Sequence, residues 1–217
     1  MKTKIALYCG SFNPIHNGHM MVANYVLEHT DVEEVWFVPT MQNPQKNSKE
    51  TLPFDVRCHM ISKVIHQYDD LKMSVQEMER NLEPPYYTIN TIIRLEQLFG
   101  EKYEFSLIMG YDSFISLHTW KDYKEIVKRH IIICPRLANG IQTFDQQVGH
   151  IKDFIYHYSI TCEVPKTNFT FLQDMPLSTM SSSFIRNEMK EGRDIRFYVP
   201  HEVWRYLEMI KREQEND

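Results

Sequence analysis

Residues 4–25, KIALYCGSFNPIHNGHMMVANY, constrain this chain more than any other stretch. Ile5–Tyr8 has the length and apolarity of a buried strand. The run stops at Gly10-Ser11, passes through Asn13-Pro14, and a helical pattern resumes near Gly18. Glycine lets a backbone approach a ligand closely, and a helix N-terminus offers unbonded N–H groups and the positive end of a dipole. His16 and His19 stand three apart at this turn, a spacing that puts both imidazoles on one face of a first helical turn. Such a turn is suited to holding an anion, with imidazoles that can carry positive charge beside it. The other reading is that one histidine caps the helix and the other packs.

Beyond this turn, short apolar runs alternate with longer amphipathic ones. Strands are expected at 33–40, 71–75, 105–109, 130–136, 160–164 and 169–172. Helices are expected at 54–68, 89–99, 141–158, 182–191 and 203–211, with a helical stretch after Gly110 that breaks near Thr119-Trp120. HIIICPR at 130–136 is an almost unbroken β-branched run, as in a strand buried on both faces. This alternation predicts an α/β fold, a Rossmann-like doubly wound parallel sheet with helices on both faces. Ligands in such sheets bind beyond the carboxyl ends of the strands, and Gly10–His19, Pro39–Lys46, Gly110–Asp112 and Pro135-Arg136 all fall there. A length of 217 residues suits one domain, 1–217, with 210–217 expected to be a frayed tail.

Composition narrows the function. A net charge of −5 argues against a broad nucleic-acid surface, so an anionic ligand needs a local basic site. The four cysteines are far apart without a C-x-x-C pair, as expected in a reducing compartment without disulfides or structural zinc. No signal-peptide pattern or membrane-length apolar run is present, so a cytoplasmic protein is expected. His59, His66 and Asp69-Asp70 suit the exposed face and end of an amphipathic helix, and His150 and His157 lack partners for a metal site. No protein-held metal is expected.

A second phosphate cradle is suggested by Ser181-Ser182-Ser183 with Arg186. The serines can cap a helix, and the guanidinium projects over the same turn. The rival reading is a plain cap and a surface arginine. Likewise Trp120 could be core and Asp112 a helix cap.

GSFNPIHxGH resembles the signature of the (H/T)xGH nucleotidylyltransferase superfamily. With VPTMQNPQK, EMERNLEPPYYTINT, IMGYDSFISLHTW, MSSSFIRNEMKEG and YVPHEVWRYL in order, the chain resembles the nicotinate-nucleotide adenylyltransferases of bacterial type over nearly its whole length. The resemblance implies adenylyl transfer from ATP to nicotinate mononucleotide, with magnesium carried by the ATP phosphates. His16, His19, Lys46 and Arg186 would act on the phosphates. Gly10, Ser11, Phe12, Gly18, Gly110, Asp112, Ser181, Ser182 and Ser183 would line the ATP side. Trp120 would stack on the pyridine, with N–H groups near Thr88 and Lys121 on its carboxylate and Arg136 on the mononucleotide phosphate. Gln45 stands where the family pattern has histidine. Other acceptors, nicotinamide mononucleotide among them, and a non-catalytic nucleotide sensor are the competing readings. No nucleic-acid or membrane partner is implied, and a homo-oligomer is compatible.

Overall fold

The computed structural model describes residues 1–42, 51–68, 70–136 and 143–216. Six strands form one parallel sheet: β1 (Thr3–Gly10), β2 (Glu34–Pro39), β3 (Met73–Val75), β4 (Tyr103–Gly110), β5 (His130–Cys134) and β6 (Phe169–Phe171). Their order is β3-β2-β1-β4-β5-β6, with every pairing parallel. The order reverses between β1 and β4. The two halves of a doubly wound sheet diverge there, leaving a crevice above the carboxyl ends of these strands.

Two-residue periodicity divides the sheet's side chains between two apolar layers. Ile5, Leu7, Trp36, Val38, Phe105, Leu107, Met109, Ile131 and Ile133 share one layer. Ala6, Val35, Phe37, Ile108, Ile132 and Cys134 face the other. The first layer is covered by α3 (Thr88–Phe99), α4 (Tyr111–Ile115), α5 (Tyr123–Ile126) and α6 (Phe144–Thr161). The second is covered by α1 (Asn17–His29), α2 (Phe54–Ile65), α7 (Ser182–Lys190) and α8 (His201–Asn216).

One expected strand is absent. Ile160 and Thr161 do not begin a strand. They finish α6, which is nucleated by a reciprocal cap between Thr143 and Gln146, and Ile160 is 58% exposed with no sheet to join. The expected tail at 210–217 falls on the last turns of α8, which runs through Asn216. Its Lys, Arg, Glu and Gln are good helix formers that need no core contact to extend a docked helix.

Candidate active site

β1 delivers the chain to the sheet's centre, and the turn that follows is held from both sides. His16 is the N-cap of α1. Its Nδ1 accepts from the His19 backbone N–H at 3.3 Å, while His19 Nδ1 accepts from the His16 backbone N–H at 3.2 Å. The two rings stack with centroids 3.6 Å apart. An Nδ1 that accepts carries no proton, so the N–H of each neutral ring is at Nε2. His16 is only 5% exposed, and burial, reinforced by the Arg136 charge, lowers its pKa to about 3. His16 is therefore a neutral donor and not the cation that a phosphate-binding histidine suggests. Capping and lining a site are not alternatives here, since both histidines do both.

Glycine keeps the space beside these rings uncrowded. A Cβ on Gly18 would lie 3.1 Å from the His16 imidazole, and one on Gly10 would lie 3.1 Å from the Phe12 ring. Phe12 itself sits at φ +45°, a left-handed conformation that costs a non-glycine residue about 1–2 kcal/mol. Its buried ring packs edge-on against Tyr8, His19 and Phe37, which offsets that cost and fixes the His19 ring from beneath.

α7 docks directly onto this turn. Ser181 caps the helix by accepting from Phe184 N–H at 3.1 Å. Ser182 Oγ donates to Pro14 O at 2.9 Å, and Arg186 Nη1 donates to Asn13 O at 2.8 Å. Arg186 Nη2 reaches Ser183 Oγ at 3.3 Å, and its buried Nε has no partner among the described residues. Arg186 thus braces the turn as well as bordering the space above it.

That space is a cleft of about 630 Å³, within the range of small-molecule sites. It brings together Gly10, Ser11, Phe12, His16, Gly18 and His19 from the turn with Ser181, Ser182, Ser183 and Arg186 from α7. Gly110, Thr88, Trp120 and Arg136 also border it. No carboxylate lines it among the described residues. Thr88 opens α3, whose N-cap Tyr87 supplies no side-chain acceptor; its carbonyl takes the Asn90 N–H at 2.9 Å, and the N–H groups of the first two positions, Thr88 and Ile89, face the helix start. The indole Nε1–H of Trp120 is buried without a partner among the described residues.

Two expected residues stand outside the lining. Asp112 pairs with Arg136, its Oδ2 4.0 Å from Nη1, and Ser113 borders the cleft in its place. The Lys121 side chain turns to Asp122 at 3.4 Å on the surface. Lys46 and Gln45 lie outside the described residues.

Other residues escaped the sequence reading. Met21, Val22, Met175 and Met180 give the cleft an apolar wall. Buried Arg57 donates to the carbonyls of Ser11, Met41 and Leu52, and Asn13 Oδ1 accepts from Leu52 N–H at 3.0 Å. A usable signal existed for Arg57, which falls one turn before Ile61 on the apolar stripe of α2, where a charge is out of place.

The Cytidylyltransferase-like family model matches residues 7–188. A probable nicotinate-nucleotide adenylyltransferase of Flavobacterium psychrophilum is 38% identical over 206 residues, covering 94% of this chain and 96% of the relative. One of the same description from Porphyromonas gingivalis is 34% identical over 195 residues, covering 89% and 88%. The Plasmodium falciparum nicotinic acid mononucleotide adenylyltransferase complexed with NaAD superposes with a TM-score of 0.71, covering 96% of each chain at 19% identity. At that identity the likeness establishes the fold.

Proposed function

Because the chain belongs to the nicotinate-nucleotide adenylyltransferases, within the cytidylyltransferase-like family, we propose that this cleft houses their reaction, with the ATP triphosphate between the turn and α7 and the pyridine nucleotide between Thr88 and Trp120. The chain transfers the adenylyl group of ATP to nicotinate mononucleotide, giving nicotinate adenine dinucleotide and pyrophosphate, in NAD biosynthesis.

A phosphate oxygen of the mononucleotide forms the new bond to the α-phosphorus as the bond from that phosphorus to the β-phosphate bridging oxygen breaks. The electron pair leaves on pyrophosphate. The nucleophile is already an anion at neutral pH, so no general base is needed. The protein must align the two phosphates and meet the charge growing on the leaving group. The Nε2–H groups of His16 and His19, the N-terminus of α7 and Arg186 would meet that charge. Magnesium carried on ATP would add neutralisation at the phosphate oxygens. The donors that line the cleft suit the phosphate oxygens that such a cation leaves free.

The carrying observation is the convergence of these donors on one cleft that no carboxylate lines among the described residues. The acceptor end favours an acid over an amide, because the uncapped N-terminus of α3 at Thr88 suits a ring carboxylate. Pyrophosphate release should be at least about tenfold more efficient with nicotinate than with nicotinamide mononucleotide, about 1.4 kcal/mol of discrimination. Equal efficiencies would remove the carboxylate from α3. ATP binding without release for any acceptor would favour a nucleotide sensor.

A further inference from the structure

We propose that Arg57 and Glu79, buried behind the cleft, are positioning residues that fix the distance between the phosphate-binding turn and the start of α3. The inference rests on the reading just given, in which those two elements hold the two reactants.

Each residue is 1% exposed, and neither borders the cleft. Arg57 Nη1 donates to Ser11 O at 2.6 Å, Nη2 to Met41 O at 3.2 Å and Nε to Leu52 O at 2.9 Å. The planar guanidinium therefore joins the turn after β1 to the segments that leave β2 and enter α2, in one rigid fork. Glu79 meets the same residue from the other side. Its Oε2 accepts from Met41 N–H at 2.6 Å, and its Oε1 accepts from Thr91 Oγ1 at 3.1 Å. Thr91 is one turn beyond Thr88 on α3. A continuous path results: Ser11, Arg57, Met41, Glu79, Thr91, and then Thr88 at the cleft.

Burial raises the Glu79 pKa to about 7, against the Met41 N–H, the Thr91 hydroxyl and the Arg57 charge, which favour the carboxylate. Two buried charges are costly where apolar side chains could fill the same volume. Apolar side chains could not bind both ends of residue 41, a turn carbonyl and a helix hydroxyl at once. In-line transfer is sensitive to such spacing, and a displacement of about 1 Å can lower a rate by about a hundredfold.

The test measures kcat and both KM values, with thermal stability, for Arg57→Lys, Glu79→Gln and Thr91→Val. Thr91→Val is expected to raise KM for nicotinate mononucleotide about fivefold or more while leaving KM for ATP within about twofold. Arg57→Lys should act mainly on ATP, and Glu79→Gln should lower kcat about tenfold or more. The Arg57→Lys and Thr91→Val effects should be non-additive, since Met41 and Glu79 link the two side chains. Variants that lose stability while keeping wild-type kcat and both KM values would overturn the proposal. If Arg57→Lys does not fold, Thr91→Val decides alone, and an unchanged mononucleotide KM overturns it. A wild-type protein that fails to turn over counts against the functional reading instead. Calorimetric binding of magnesium–ATP to the wild type and to Arg57→Lys then scores the clamp, with equal affinities overturning it.

Discussion

At the scale of residues, the two histidines have different dispensable parts. His16→Asn keeps a good capping oxygen but removes the Nε2 donor. Stability should change by less than about 1 kcal/mol from the cap while kcat falls about a hundredfold, a split that thermal scans and steady-state kinetics can separate. His19→Ala should also lower kcat by about two orders of magnitude with modest effect on mononucleotide affinity, and near-normal turnover would remove it from the phosphate cradle. Trp120→Ala should chiefly raise KM for the pyridine nucleotide, and an unchanged KM in a folded variant would exclude it from that site. The pKa of His16 sets a sign for acid stability. Its folded pKa of about 3 lies below the ordinary 6.5, so its contribution is complete above 6.5 and is lost as pH falls toward 3. Glu79 runs the other way. Its pKa is raised from 4.5 to about 7, so its contribution is complete below 4.5 and is lost as pH rises through 7. Glu79→Gln should therefore flatten the loss of stability between pH 4.5 and 7, measured by denaturant titration at each pH.

At the scale of elements, α7 is a helix with two separable attachments. Ser181 caps it, whereas Ser182 ties it to Pro14. Ser181→Ala should cost about 1 kcal/mol of stability. Ser182→Ala should instead raise KM for ATP several-fold at little cost in melting temperature, because the tie sets where the helix points. Equal effects of the two changes on both readouts would refute that division. The elements themselves were largely legible. Apolar period and glycine punctuation located the strands and most helices, and the strand-turn-helix at 4–25 lines the cleft as its spacing suggested. What was illegible depended on partners distant in sequence. Nothing local marks Glu79 as the acceptor for Met41 and Thr91, or shows that Asp112 pairs with Arg136 outside the cleft lining. The expected strand at 160–164 failed because local β-branching carries no information about whether a sheet edge is available.

At the scale of the molecule, a chain with net charge −5 gathers hydrogen-bond donors at one crevice that no carboxylate lines among the described residues, so the setting for an anion is local rather than global. No described helix is long and apolar enough to cross a membrane. The bonds from Ser182 to Pro14 and from Arg186 to Asn13 join residues 168 and 173 positions apart. Contacts of that separation close late, after the sheet's nearer pairings have formed. In refolding from urea, helical signal should therefore return before turnover, and simultaneous recovery would contradict this order. During synthesis the nascent chain would carry the histidine turn long before its serine and arginine partners left the ribosome. A complete phosphate cradle then waits for α7, and no length that stops short of Arg186 has it.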